Sequence, residues 1–235
     1  RVRIRPSCAL ACVAAALLSL TPVAQGQVTF TPVVGVPPAN EGQSHGTAWG
    51  DYDGDGQLDL FVANYSSVSY LYHNDGGGAF TKVTSGPLVT DAMASTGSGW
   101  ADSDNDGRLD IIVCNYAQDN VLYRGTSGEG FARAFTFPNR EEAYQGAWAD
   151  YDQDGWVDLF IARTAGGSQL WHNQRDGTFK LVETGVMGPV PGVALAGIWG
   201  DYDNDGRVDL FVPRANGQTS LLYRNKGAGD FERIA

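Results

Sequence analysis

The stretch Trp49-Gly50-Asp51-Tyr52-Asp53-Gly54-Asp55-Gly56-Gln57-Leu58-Asp59-Leu60-Phe61-Val62 sets four aspartates in a glycine-bearing loop and runs straight into an apolar segment. The same order returns as Trp100-Ala101-Asp102-Ser103-Asp104-Asn105-Asp106-Gly107, as Trp148-Ala149-Asp150-Tyr151-Asp152-Gln153-Asp154-Gly155 and as Trp199-Gly200-Asp201-Tyr202-Asp203-Asn204-Asp205-Gly206. The leading aspartates stand at 51, 102, 150 and 201, so a unit of about 50 residues occurs four times.

Further pieces recur at fixed offsets from each loop. Eight residues after the leading Asp stands Asp59, Asp110, Asp158 or Asp209, at the head of an apolar run that reads as a buried strand. A Leu-aromatic pair follows (Leu71-Tyr72, Leu122-Tyr123, Leu170-Trp171, Leu222-Tyr223), then a Phe after a glycine-bearing turn (Phe80, Phe131, Phe179, Phe231). With the Trp-bearing segment first, each unit is a four-stranded antiparallel meander. Repeated units of that size point to an all-β fold of propeller blades, each with a calcium loop between its first two strands. A stacked β-solenoid competes, but its turns are usually shorter and carry fewer strands. The 31 glycines, 10 prolines and 11% aromatic content likewise suit short strands and tight turns better than long helices.

Blades are expected over residues 43–86, 95–137, 144–185 and 194–235. Within residues 28–36, Val28-Thr29-Phe30-Thr31-Pro32-Val33 looks like the last strand of an incomplete blade. Repeat four already has its own last strand at Phe231-Glu232-Arg233-Ile234, which leaves the early strand no vacancy to fill. Further blades are therefore expected in the parent protein, with a ring of four as the alternative. Residues 1–26 carry three arginines, an apolar run from Cys8 to Leu20 and the small-residue site Ala24-Gln25-Gly26, the order of a secretory signal peptide. The run falls short of the roughly 20 residues that span a bilayer. The expected location is secreted or extracellular, with periplasm or cell surface open, and the mature part (27–235) has no membrane span. Cleavage would leave Cys114 as the remaining cysteine, so stability must come from packing, metal ions or both.

The loop pattern Asp-x-Asp-x-Asp-Gly-x-x-Asp places carboxylates at positions 1, 3 and 5, where a curled chain brings them to one centre, and a glycine at position 6 for the sharp turn. Position 7 is chemically varied (Gln57, Arg108, Trp156, Arg207), as expected of a main-chain carbonyl ligand. Position 9 closes the shell. The expected metal set is therefore Asp51, Asp53, Asp55, Gln57 and Asp59; Asp102, Asp104, Asp106, Arg108 and Asp110; Asp150, Asp152, Asp154, Trp156 and Asp158; and Asp201, Asp203, Asp205, Arg207 and Asp209. An all-oxygen set suits Ca²⁺, about four ions at one per repeat, better than Mg²⁺ or Zn²⁺. An EF-hand or dockerin shares the nonapeptide but continues as helix, whereas a β-rich run such as Asp110-Ile111-Ile112-Val113 follows here. Sixteen of the 27 acidic residues are these loop aspartates, so the formal charge of -11 resides in the loops. That balance excludes a phosphate-backbone partner, and no nucleic acid is expected.

The recurrence of loop, strand, aromatic and Phe over residues 28–235 resembles the VCBS/FG-GAP repeat family, the calcium-loop β-propeller repeats of integrin α subunits and many bacterial secreted proteins. The Phe-Gly and Gly-Ala-Pro signatures of the integrin form are absent, so the bacterial form is the closer likeness. The repeats also resemble secreted proteins that carry an ASPIC/UnbV segment after the propeller, although no such segment stands in this sequence.

Nothing in the sequence assembles a catalytic group, and no enzyme activity is expected. His73 and His172 align with Arg124 and Arg224 and read as strand-end surface residues. Cys114 aligns with small residues and reads as a buried thiol, and the repeated tryptophans read as blade core. The function expected is a non-catalytic binding or adhesion module for an unknown protein or glycan, with structural calcium. The alternative is the propeller portion of a larger extracellular enzyme such as a polysaccharide lyase. Strand parity puts the second connections on the face opposite the calcium loops, where Tyr65, Tyr116, Tyr144, Arg163 and Arg214 are the expected ligand contacts.

Overall fold

The computed structural model describes residues 42–234 apart from 129, 139 and 140. The signal peptide expected at 1–26 and the extra strand at 28–36 lie outside the described residues. Among the described residues, sixteen strands make four antiparallel sheets, each a meander in chain order. Blade 1 comprises β1 (Ser44–Gly50), β2 (Asp59–Asn64), β3 (Tyr70–Gly76) and β4 (Ala79–Lys82). A single helical turn, α1 (Pro87–Thr90), precedes blade 2, made of β5 (Ser95–Ala101), β6 (Asp110–Asn115), β7 (Asn120–Gly125) and β8 (Phe131–Phe137). Blade 3 holds β9 (Ala143–Ala149), β10 (Asp158–Arg163), β11 (Gln169–Asn173) and β12 (Phe179–Leu181). Blade 4 holds β13 (Ile198–Gly200), β14 (Asp209–Val212), β15 (Leu221–Gly227) and β16 (Asp230–Arg233). The expected all-β architecture is present, with α1 as the one addition among the described residues.

Register is the same in every blade. Trp49 pairs with Leu60, Trp100 with Ile111, Trp148 with Leu159 and Trp199 with Leu210. The pair closing each acidic loop is a small residue opposite the ninth-position aspartate: Gly50 with Asp59, Ala101 with Asp110, Ala149 with Asp158, Gly200 with Asp209.

The second strand of each blade is its most buried, which is why it reads as a continuous apolar run. Alternate residues point to opposite faces. Phe61 and Ala63 therefore pack toward blade 2, against Ile111, Val113, Tyr123 and Phe131. Ile112 and Cys114 pack toward Leu159, Ile161 and Trp171 of blade 3. Phe160 and Ala162 pack toward Leu210, Val212 and Tyr223 of blade 4. The core thus lies in three seams between blades. This corrects the reading of the tryptophans as blade core: Trp100, Trp148 and Trp199 lean on the seam with the preceding blade. Trp49, on the leading face of blade 1, is 53% exposed.

Candidate metal centres

Each acidic loop is folded by its own carboxylates. The position 1 aspartate accepts from two main-chain N–H groups. In loop 1, Gly54 and Gly56 donate to Asp51 at 2.9 Å. In the other loops the position 5 and 6 N–H groups donate to Asp102, Asp150 and Asp201 at 2.8–3.0 Å. The position 5 aspartate accepts the N–H of position 7: Gln57, Arg108, Trp156 and Arg207 donate at 2.8–3.0 Å. Position 4 adopts a left-handed conformation throughout, at Gly54, Asn105, Gln153 and Asn204. Position 6 does the same, with φ between 85° and 89° at Gly56, Gly107, Gly155 and Gly206. An added Cβ at any of these four glycines would meet nothing within 4 Å, so backbone conformation and not space demands glycine there.

The position 9 aspartate is a strut. Asp59 accepts from Tyr52 N–H at 3.1 Å and from Asn74 N–H of β3 at 2.8 Å, tying the loop to the third strand. Asp110, Asp158 and Asp209 repeat the arrangement, with Gly125, Asn173 and Asn225 as β-strand donors. All four are at most 1% exposed. Burial raises Asp59 and Asp110 above the ordinary carboxylate range and pushes Asp158 up to about 7.

Position 3 stands apart. In loops 2, 3 and 4 its Oδ1 (Asp104, Asp152, Asp203) is buried without a hydrogen-bond partner. Such an orphaned anionic oxygen costs free energy unless a cation meets it. Carboxylate oxygens of Asp102, Asp104 and Asp106 lie within 4.8 Å of one another, as do those of Asp150, Asp152 and Asp154 and of Asp51, Asp53 and Asp59. Several clusters able to hold a metal ion are therefore built into the loops, and their donors are hard oxygens.

Basic side chains also reach these carboxylates, which corrects the reading of four residues as strand-end surface. His73 Nε2 lies 2.7 Å from Asp53 Oδ2, Arg124 Nε 3.0 Å from Asp104 Oδ2, and Arg224 Nη2 2.7 Å from Asp203 Oδ2. His172 Nδ1 lies 3.1 Å from Asp158 Oδ1 and 3.6 Å from Asp152 Oδ2. Asp75, hydrogen-bonded to the His73 ring, raises that imidazole above its ordinary value. At position 7 the side chains prove less indifferent than the sequence implies, because the Arg108 and Arg207 guanidinium groups fold back on Asp106 and Asp205. Arg175 reaches Asp154 from outside its loop. The signal for the first group is present in the sequence: a basic residue directly follows the Leu-aromatic pair in all four repeats.

At the opposite ends of the blades, the structure brings Tyr65, Tyr116 and Tyr144 together. Tyr65 meets Tyr116 edge to face at 5.4 Å and stacks on His45 at 4.9 Å. Tyr144 donates its hydroxyl to Glu142 at 2.8 Å, and Thr164 donates to the other oxygen of Glu142 at 3.2 Å. The Glu142 hydrogen bond, with burial, pushes the Tyr144 phenol up to about 12. Arg163 and Arg214 do not join this group. Asn64 and Asn115 tie their second connections by donating to Val68 O and Asp119 O, and Arg163 and Arg214 occupy the same offset. Arg163 is 7% exposed, and Arg214 donates to Thr219 O and Pro191 O. The Arg163 slot is buried, whereas Arg214 is half-buried and spends its guanidinium on main-chain carbonyls.

The FG-GAP-like repeat profile matches residues 51–113, 102–161 and 150–212. Each match begins at a leading loop aspartate and ends in the second strand of the next blade. Among solved structures, the V. cholerae biofilm matrix protein Bap1 is similar at a TM-score of 0.49 and 19% sequence identity, over 85% of this chain and 32% of that one. The chain thus spans about a third of the length of that protein. No curated protein matches.

Proposed function

From the chain's membership of the FG-GAP-like repeat family, we propose a secreted, calcium-loaded β-propeller domain that binds a protein or glycan and catalyses nothing. The observation that carries the calcium part is the buried, unpartnered Oδ1 of Asp104, Asp152 and Asp203. Bound Ca²⁺ would supply a doubly charged centre that takes roughly 6 to 8 oxygens. Position 1 shapes the loop, position 9 fixes it to the third strand, and position 3 keeps an oxygen without a hydrogen-bond partner in loops 2, 3 and 4. The position 7 carbonyls of Gln57, Arg108, Trp156 and Arg207 would complete each shell. The resident imidazole and guanidinium groups hold the loops against self-repulsion until the ion arrives.

The ligand reading rests on the tyrosines. One exposed and two half-buried aromatic rings beside a fixed carboxylate, at the ends of a rigid scaffold, suit contacts with a sugar face or a protein surface. Among the described residues no helix is long and apolar enough to cross a membrane. Secretion rests on the order of residues 1–26, and the domain on residues 27–235.

Calorimetry with elemental analysis tests the calcium reading. Melting temperature should fall on chelation and recover with Ca²⁺, with about four ions bound per chain. A melt indifferent to chelation in protein free of metal would overturn it. A glycan array and a pull-down, each run with wild type and Tyr116→Ala, test the ligand face.

A further inference from the structure

The four acidic loops share their carboxylates but not their basic neighbours. In loop 1, position 7 is Gln57, and among the described residues no guanidinium pairs with Asp51, Asp53, Asp55 or Asp59. The base that reaches this loop is His73, and Asp75 stands behind its ring, Oδ1 at 2.9 Å from Nδ1. Loop 2 has two guanidiniums on its carboxylates, Arg108 on Asp106 and Arg124 on Asp104, the latter at 3.0 Å. Loop 4 repeats the arrangement, with Arg207 on Asp205 and Arg224 Nη2 at 2.7 Å from Asp203 Oδ2 and 3.4 Å from Asp205 Oδ2. Loop 3 stands between: Arg175 Nε lies 2.9 Å from Asp154 Oδ2, while Trp156 occupies the offset of Arg108 and His172 that of Arg124.

Each of these guanidiniums comes from the blade that holds its loop. Arg108 and Arg207 belong to the loop itself, Arg124 and Arg224 to the third strand, and Arg175 to the turn after it. Blade 1 is described from Ser44 to Lys82, so the residues that set loop 1 apart, Gln57 and His73, are those of its own blade. A carboxylate paired with a guanidinium is a poorer calcium ligand in two ways. Either the pair opens and its energy is lost, or it stays and leaves a positive charge beside the ion. The guanidinium keeps its charge in both cases, because it does not deprotonate in proteins. Ligand charge is one of the quantities that tune Ca²⁺ affinity in acidic loops. The unpartnered Oδ1 of Asp104, Asp152 and Asp203 does not reverse the comparison, since its counterpart on Asp53 accepts one bond, from Asp55 N–H at 3.2 Å, and keeps a second lone pair.

We propose that the loops are unequal calcium sites filled in a fixed order, loop 1 first, loop 3 next, loops 2 and 4 last. Arg108, Arg124, Arg207 and Arg224 set the weak class and Arg175 the intermediate one. The order rests on calcium being the ion these loops hold, as proposed above. A partly exposed ion pair weakens a site by a few-fold, so two pairs separate loops 2 and 4 from loop 1 by about tenfold. The domain then loads in steps as external calcium rises, and loop 1 stays occupied at concentrations that empty loops 2 and 4.

Isothermal titration of the full chain, stripped with chelator and titrated with CaCl₂ at one ionic strength, tests the order alongside three variants. Wild type should bind its ions in more than one class, the tightest class holding a single ion. Asp53→Ala should remove that tight ion, and Asp203→Ala one of the weakest. In the double variant Arg108→Gln with Arg124→His, loop 2 takes the residues that blade 1 carries at the same offsets. Its affinity should rise about tenfold, so that the tight class gains a second ion. Circular dichroism in saturating calcium checks folding, and the double variant, whose replacements are native to blade 1, reads the order even where Asp53→Ala fails to fold. Four equal sites overturn the proposal, as does a double variant with the wild-type isotherm or an Asp53→Ala isotherm that loses a weak ion and keeps the tight one. No calcium uptake up to about 10 mM, above the range of extracellular modules, overturns the calcium reading itself and the order with it.

Discussion

Asn225 and Tyr151 stand 74 residues apart in the chain and meet across a seam, where Asn225 Nδ2 donates to the Tyr151 carbonyl at 2.6 Å. The main-chain N–H of the same Asn225 donates to Asp209 Oδ1 at 2.8 Å. One residue therefore links the acidic loop of its own blade to the backbone of the preceding one. Asn173 does the same between Asp158 and Ser103, while blade 2 has Gly125 at this offset and keeps only the loop bond.

Asn173→Ala and Asn225→Ala should each cost about 1–3 kcal/mol, because each strands a buried carbonyl across a seam. Asn74→Ala, which has no seam bond among the described residues, should cost well under 1 kcal/mol. Urea midpoints at constant m-value measure the difference. Equal losses at all three positions would show that the intrablade bond, and not the seam, carries the effect.

Positions 3 and 9 of the loop should behave oppositely toward chelation. Asp104 Oδ1 is an unpartnered buried oxygen and Oδ2 pairs with Arg124, so Asp104→Ala should cost the chelated protein no more than about 1 kcal/mol. In calcium the same variant should lose one ion and up to about 2.7 kcal/mol at a hundredfold excess over Kd. Asp110 accepts from Ser103 N–H, the Ser103 hydroxyl and Gly125 N–H, so Asp110→Ala should cost about 2–5 kcal/mol whether or not metal is present. Thermal melts in calcium and in chelator separate the two.

Arg207 tests competition between a resident cation and a bound one. Its guanidinium pairs with Asp205 and donates to Asn225 O at 2.9 Å. Arg207→Ala should raise the calcium affinity of loop 4 several-fold, since a half-exposed pair is worth about 0.2–1 kcal/mol, and should slightly lower metal-free stability. Isothermal titration on a background of the other three loops disabled at position 3 reads the single site. Unchanged or weaker affinity would mean the guanidinium does not oppose the ion.

Much of the fold was legible because it repeats a local rule. The apolar run after each loop, the glycines at position 6 and the Leu-aromatic pair place strands and turns without tertiary information, and four copies average out ambiguity. The seams were less legible. Alternation along Leu60-Phe61-Val62 says that two faces are buried but not which blade lies on either side, so Trp49 and Trp199 read alike although, among the described residues, only Trp199 has a preceding blade to lean on. At the loops, the carboxylate spacing announces a cation, yet which of them holds the fold and which keeps a free oxygen depends on N–H groups from a strand 15 residues away. Arg163 was misleading for a related reason: charge reads as exposure, whereas its offset, shared with Asn64 and Asn115, is that of a buried turn tie.

Cys114 reports on the seam between blades 2 and 3. It is fully buried there, and burial pushes its thiol up to about 12. At pH 8 the native protein should react with a disulfide reagent orders of magnitude more slowly than a free thiol, and at the free rate in denaturant. Partial chelation that loosens the seam should raise the native rate before ellipticity changes. A native rate close to that of a free thiol would contradict the packing of this seam.

Tyr116 and Arg163 were grouped by sequence as contacts for one ligand, and their surroundings now separate them. Tyr116 is 41% exposed and touches Tyr65 through its ring edge, so Tyr116→Ala should change stability by no more than about 0.5 kcal/mol. Arg163 is buried in the slot that Asn64 and Asn115 fill in the first two blades, and an added Cβ at Gly166 would lie 2.5 Å from its guanidinium. Its burial lowers its pKa, so the charge is held at a cost that the Glu141 carboxylate offsets. Arg163→Ala should open a void under the second connection of blade 3 and cost about 1–3 kcal/mol, with any loss of ligand binding tracking the fraction unfolded. Tyr116→Ala should instead weaken binding at full stability and with calcium stoichiometry intact. Paired melts and binding isotherms on the two variants decide the matter, and a stable Arg163→Ala that alone loses ligand would return that arginine to the binding face.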